Sequence, residues 1–161
     1  MTVLVITNQK GGVGKTTTAV SLGSALVGLG LRVLLIDLDP QGNATSGVGL
    51  SKGELDASLY DVMVDGRDPD EVIARDVGIP FLDVLPATQD LVGAELELVN
   101  RVERETALRR GLARIRDRYD FIILDVSKNL DDLTIKALDR AHSIFLVVQT
   151  MLPYVRNANR M

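Results

Sequence analysis

The 161-residue sequence has no cysteine and no tryptophan, a single histidine, and only 4% aromatic residues. Without cysteine, disulfide frameworks, thiolate metal sites and thiol nucleophiles are excluded. With His142 as the one imidazole, a histidine-built metal site is excluded as well. Long apolar runs are missing too. None approaches the roughly 18 residues of a membrane span, and no basic segment precedes the apolar start, so no membrane role is read and a cytoplasmic protein is expected. The net charge of −4 gives no global attraction to nucleic acid or anionic lipid. What is present is ordinary for a globular chain, 46% hydrophobic and 25% charged residues, which argues against disorder. With so few rings, the core must be built from Val, Leu, Ile and Ala, the residues that fill parallel sheets and their covering helices. The length suits one domain spanning 1–161.

The order of patterns supports an α/β fold. Val3-Leu4-Val5-Ile6 is a short apolar run, broken by glycines between Asn8 and Gly14. Ala19, Leu22, Leu26 and Leu29 then recur at helical spacing, with Gly30 placed as a left-handed cap, and Val33-Leu34-Leu35-Ile36 follows as a second apolar run. These segments predict a strand, helix and strand with parallel, buried strands. Asp37 to Ser51, rich in Gly, Asn and Ser, is expected as a mobile surface loop at the carboxyl end of the second strand. Short helices are expected at Leu59–Val64 and Pro69–Arg75, a strand at Phe81–Leu85, and helical patterns at Thr88–Glu105 and Thr106–Arg118. Phe121-Ile122-Ile123-Leu124 predicts another buried strand that delivers Asp125. Leu130, Leu133, Ala137, Leu138 and Ala141 mark an amphipathic helix, Ile144–Val148 a last strand, and Pro153 the opening of a further helix. The alternation predicts one doubly wound domain with a mostly parallel sheet in three α/β/α layers.

The segment with chemical content is Gln9-Lys10-Gly11-Gly12-Val13-Gly14-Lys15-Thr16-Thr17, between a strand and a helix. Backbone N–H groups of a glycine-rich loop at a helix N-terminus can wrap a polyphosphate, and the helix dipole favours its charge. Side chains at Gly11, Gly12 and Gly14 would obstruct that approach. Lys15 is placed to neutralise the β and γ phosphates, and the Thr16 hydroxyl to ligate a bridging Mg²⁺. Asp39 precedes Pro40, which disfavours helical backbone there, so its carboxylate is expected at the strand end facing the loop, where it can orient water or hold the metal's water shell. Asp125, delivered by four apolar residues, is expected to reach Mg²⁺ through water.

Gln9 stands where the ordinary phosphate-loop pattern has a glycine, and Lys10 opens the loop. This resembles the deviant Walker A signature K-G-G-x-G-K-[ST] of the ParA/MinD/Soj ATPases, in the SIMIBI class of P-loop NTPases. Val33 to Thr45 is similar to the switch I segment of ParA-type chromosome and plasmid partition ATPases, and Leu85-Pro86-Ala87-Thr88 through Glu97 resembles them too, so the match runs over about residues 3–125. The resemblance implies ATP and Mg²⁺ as cofactors, an ATP-dependent sandwich dimer in which Lys10 reaches the partner's phosphates, slow hydrolysis with Asp39 positioning the attacking water, and a ParB-like activator. It makes Lys10, Lys15 and Asp39 the catalytic candidates, 10–17 the nucleotide loop, and Thr16, Asp39 and Asp125 the metal candidates.

From Val126-Ser127-Lys128-Asn129 onward the usual Pro-Pro of ParA switch II is absent, and the segment through Ala141, with Val155-Arg156-Asn157-Ala158, instead resembles the CpaE/TadZ pilus-assembly ATPases. That resemblance implies an alternative, a pilus-positioning scaffold with weak or no ATPase activity. Relative to either group the chain is expected to be a fragment or chimera lacking later strands, adenine contacts, the basic residues ParA uses for nonspecific DNA, and MinD's membrane helix. An exposed sheet edge is expected in consequence. Arg101, Arg104, Arg109, Arg110, Arg114, Arg116 and Arg118 form the one basic concentration, diluted by acidic neighbours into a solvated helix face rather than a DNA patch. Asp131 and Asp132 are read as helix-dipole partners and His142 as an ordinary boundary residue.

Overall fold

The apolar runs become the strands of one sheet. The computed structural model describes residues 1–8, 10–75, 77–99, 112–127 and 141–148. Its strands are β1 (Thr2–Thr7), β2 (Val33–Leu38), β3 (Leu82–Leu85), β4 (Phe121–Val126) and β5 (Ser143–Leu146), in the order β3-β2-β4-β1-β5 with every neighbouring pair parallel. All six residues of β2 are buried, as expected for a strand covered on both faces. β4 lies between β1 and β2, and its register sets Ile6 and Asp37 on either side of Asp125.

Alternate residues feed two separate cores. Val5, Leu34, Ile36, Ile122 and Leu124 pack on one face with Leu59, Val62, Ala94 and Ile115, while Leu4, Ile6, Val33, Leu35 and Ile123 pack on the other with Ala19, Ala44 and Val48. The first face is covered by the 59–65 segment and helix α4 (Leu91–Val99), the second by α1 (Lys15–Gly28) and the short α2 (Asn43–Gly47). The result is the expected three-layer α/β/α domain. α1 approaches the sheet closely at Gly23, where a Cβ would meet the Leu82 side chain at 3.2 Å. Its end is capped by bonds from Gly30 N–H to the Val27 carbonyl and from Leu31 N–H to the Leu26 carbonyl.

Several boundaries differ from expectation for physical reasons. Residues 37–51 are not a loose loop. Asp37 is still in β2 and fully buried, and its Oδ2 accepts both the backbone N–H and the hydroxyl of Thr45 at 2.8 Å. The Thr45 oxygen also accepts the Ala87 N–H at 3.0 Å, so one buried carboxylate organises α2 and ties it to the end of β3. Thr45→Val should therefore destabilise the protein by about 2 kcal/mol, because the Ala87 N–H loses its acceptor and Asp37 a donor. A urea midpoint lowered at unchanged slope is the expected result.

The 59–64 helix runs into a π-helical turn at Asp61–Asp65. Helix α3 (Pro69–Val72) stops short of Arg75 because Ala74 turns outward into an antiparallel bridge with Val84. Phe81 is not in the strand: it takes a left-handed φ of 65° in the preceding turn and is exposed. β5 begins one residue early, at Ser143, and stops at Leu146; it is an edge strand among the described residues, with Ile144 and Phe145 exposed. His142 pairs with β1 through both its backbone and its ring, the Val3 N–H donating to Nδ1 at 3.0 Å. The expected helix over 130–141 and the one opening at Pro153 lie outside the described residues, save Ala141.

Arg114 pairs with Asp68, and Arg75 and Arg118 both pair with Asp70. The partners of Arg114 and Arg118 are distant in sequence and are not the acidic neighbours expected to dilute the arginine-rich face, and such exposed pairs contribute little to stability; Arg101, Arg104, Arg109 and Arg110 lie outside the described residues.

Candidate functional site

The loop after β1 is shaped by backbone conformations that a glycine readily supplies. Gly14, at φ 95°, is the residue from which α1 starts, and its carbonyl accepts the first helical bond from the Thr18 N–H at 2.8 Å. A residue with a Cβ would be strained there. Asn8, which was not singled out from the sequence, holds the base of the loop: its Oδ1 accepts the Lys10 N–H at 2.8 Å. Lys15 is nearly buried, and its ammonium curls back to donate to the Lys10 carbonyl at 3.4 Å. The N–H groups of the first turn of α1 have no helical acceptor and point at whatever sits in the loop.

A cavity of about 950 Å³ opens above this loop at the carboxyl ends of β1, β2 and β4. Gly11, Gly12, Gly14, Lys15, Thr16 and Thr17 line one wall; Leu38, Asp39, Pro40, Gln41 and Asn43 line another; Leu91, Val92 and Ser127 complete it. Of the expected site residues, Lys15, Thr16, Thr17, Asp39 and the three glycines thus converge. Val13 turns its side chain into the protein and can contribute only backbone to the loop. Lys10 lies exposed at the loop's start rather than in the cavity wall. Leu91, Val92 and Ser127 carried no motif of their own, and only the resemblance over 85–97 touched the first two.

Asp39 has one carboxylate oxygen committed to the Gln41 N–H at 2.9 Å, which orients the side chain from the strand end toward the cavity. Its own N–H donates to Asp37 at 3.1 Å, so the buried Asp37–Thr45 contact also sets the backbone that carries Asp39. Burial raises the Asp37 carboxyl above its ordinary range, and the two Thr45 bonds oppose that shift.

Asp125 is the anomaly. It is 1% exposed, and among the described residues neither carboxylate oxygen has a hydrogen-bond partner of normal geometry. Burial pushes its carboxyl up to about 7; the nearby Thr16 hydroxyl and Lys15 ammonium pull it down, and Asp37 and Asp39 add to the rise. A buried carboxylate with both oxygens unmatched, beside a threonine hydroxyl, fits a hydrated divalent cation as its missing partner. Among the described residues no cluster of three His, Cys, Asp or Glu forms a metal cage. The donor set therefore suits an ion held chiefly by ligand oxygens and water, with Thr16 and Asp125 as the protein's share.

Because the folded-state value of about 7 lies above the ordinary 3.8, the folded protein keeps a proton that the unfolded chain has released between those pH values. Without metal, stability is full at the acidic end of that window and declines as pH rises through 7. Asp125→Asn should raise the ligand-free stability at pH 8 by about 2 kcal/mol and leave it nearly unchanged at pH 4. Melting curves at the two pH values check both halves, and an equal shift at both contradicts this electrostatic account.

A family model described as an AAA domain matches residues 1–156. The chain is 49% identical to the sporulation initiation inhibitor protein Soj of Bacillus subtilis, over 91% of this chain and 58% of that protein. It is 43% identical to the chromosome partitioning protein ParA of Myxococcus xanthus, over 91% of this chain and 52% of that one. The chain thus spans little more than half the length of these relatives. Its fold superimposes with a TM-score of 0.90 on the structure of a cobyrinic acid a,c-diamide synthase from Mycobacterium smegmatis with bound ADP and magnesium, at 41% identity, covering 99% of this chain and 65% of that one.

Proposed function

The chain belongs to the ParA/MinD/Soj family of P-loop ATPases, and from that premise we propose that it binds Mg-ATP in the cavity above the 10–17 loop, dimerises when ATP is bound, and hydrolyses it slowly. The work served is chromosome or plasmid partitioning, with a ParB-like protein as activator. The observation that carries the reading is the convergence of Lys15, Thr16 and Asp39 on one cavity above the unmatched Asp125. Fold alone would not suffice, since a diamide synthase shares it.

Each residue has a separate task. The loop amides and the α1 dipole hold the phosphates, and the Lys15 ammonium neutralises the β and γ groups. The Thr16 hydroxyl and the Asp125 carboxylate would hold Mg²⁺, which would offset the charge of the phosphates. Asp39 orients the attacking water. Catalysis of this kind is mainly positioning and charge neutralisation, and it needs neither a cysteine nor a histidine. Lys10 would reach a second protomer's phosphates, a reading its exposure at the start of the loop supports. Among the described residues no helix is long and apolar enough to cross a membrane.

Sedimentation of wild type and Lys10→Ala with Mg-ATP tests the dimer. Wild type should shift to a dimer only with ATP, while Lys10→Ala binds ATP within about threefold of wild type and stays monomeric. Equal dimerisation of the two would remove Lys10 from the interface. The pilus-scaffold alternative rests on the segment from Asn129 through Ala141 and on Val155-Arg156-Asn157-Ala158, which save Ala141 lie outside the described residues, and it predicts localisation that survives loss of Lys15.

A further inference from the structure

The reading of the cavity as an ATP site leaves open what holds Asp39 in place on the switch I turn. That turn is tight: the Gln41 N–H donates to the Asp39 carboxylate and the Gly42 N–H to the Asp39 carbonyl at 2.8 Å. It ends at Gly42, with φ 60°, from which α2 starts. A Cβ on Gly42 would lie 2.6 Å from the Lys52 Cδ and 2.8 Å from the Ala87 carbonyl oxygen, so the turn is gripped from two sides. The Lys52 stem closes one side and the end of β3 the other. The Lys52 ammonium then reaches across to donate to the Gln41 carbonyl at 2.6 Å.

We propose that Lys52 is a positioning residue for ATP hydrolysis, a strap whose stem covers Gly42 and whose ammonium pins the Gln41 carbonyl, fixing the turn that aims Asp39 into the cavity. Lys52 is not part of the cavity wall; it acts through the backbone of Gln41 and Gly42. Its neighbours make the contact specific. The positive charge sits on the Gln41 carbonyl, in a turn whose Gln41 and Gly42 N–H groups already bond to Asp39. The inference rests on the ATPase reading for its catalytic consequence, and on the turn's geometry alone for the strap itself.

The test pairs turnover with amide exchange. Lys52→Met keeps the covering stem and removes the ammonium; Lys52→Arg restores a donor. Lys52→Met is expected to lower kcat about fivefold, the cost of a slightly misaimed group, with KM for ATP within twofold of wild type. Hydrogen exchange at the Gln41 and Gly42 amides should quicken severalfold in the nucleotide-free protein, and Lys52→Arg should recover most of both effects. Unchanged exchange, unchanged kcat, or a KM that rises in step with the loss of kcat each overturns the positioning role. If wild type itself shows no turnover, the ATPase reading fails, and the exchange rates alone decide for or against the strap. Equal melting temperatures for the three proteins exclude a general loss of folding as the cause.

Discussion

Lys15→Ala is expected to weaken Mg-ATP binding at least about a hundredfold, the loss of nearly 3 kcal/mol that accompanies removal of a charge-assisted phosphate contact from a partly desolvated site. The wild-type ammonium is held inside the loop, only 9% exposed, against the Lys10 carbonyl. On the proposed reading the ammonium already lies within the loop that would receive the phosphates, so contact with them asks little reorganisation of it. Alanine leaves the glycine loop and the α1 dipole intact, so residual weak binding persists, but the polyphosphate charge is no longer offset. The folded state should be only modestly affected, since what is removed is a nearly buried charge bonded to the Lys10 carbonyl, whose nearby acidic neighbour is Asp125. Titration with a fluorescent ATP analogue measures the effect. Affinity within threefold of wild type would mean that the loop is a glycine turn and not a phosphate cradle.

Asp39→Ala and Asp39→Asn should both lower the hydrolysis rate about a hundredfold while leaving Mg-ATP affinity within threefold, the signature of an interaction made in the transition state and not in the ground state. The two substitutions separate chemistry from architecture. Asp39 accepts the Gln41 N–H; asparagine keeps an acceptor for that bond and alanine does not. If the carboxylate's charge orients and polarises water, the variants lose turnover equally. If Asp39 serves only to shape the turn, asparagine retains most of the activity. Single-turnover assays with saturating Mg-ATP distinguish the cases, and the ATP-bound dimer should accumulate in both variants because hydrolysis no longer disperses it.

The parts of this molecule that were legible in its sequence are those where one local pattern dominates. Runs such as Val33 to Ile36 admit only a buried parallel strand, and the glycine loop between a strand and a helix places Lys15 and Thr16 without further information. The segment from Asp37 to Ser51 was misread because its composition is that of a loop. Its order comes from the buried Asp37 carboxylate meeting Thr45, a contact eight residues apart that composition cannot report. Phe81 looked like the first residue of β3 by β propensity, yet the turn after Gly78 needs a left-handed residue there and tertiary context prevailed. The strand pattern brings Asp125 to the carboxyl end of β4, but its flanking by Ile6 and Asp37 follows from the sheet register, which no local pattern reports. Ser127 reaches the cavity because β4 runs beside β1, and Leu91 and Val92 reach it from the start of α4; the Lys52 strap joins groups that no sequence motif connects.

A working Mg-nucleotide site in this chain should show itself in thermal melting of the unmodified protein. With Mg-ATP at 100 times its dissociation constant, binding to the folded state alone adds about 2.7 kcal/mol. For a chain of this size that is a rise in Tm of about 5–10 °C. Chelation of the metal should remove much of the rise, because Asp125 then faces the phosphates without its cation. A melting temperature unmoved by Mg-ATP would contradict the account.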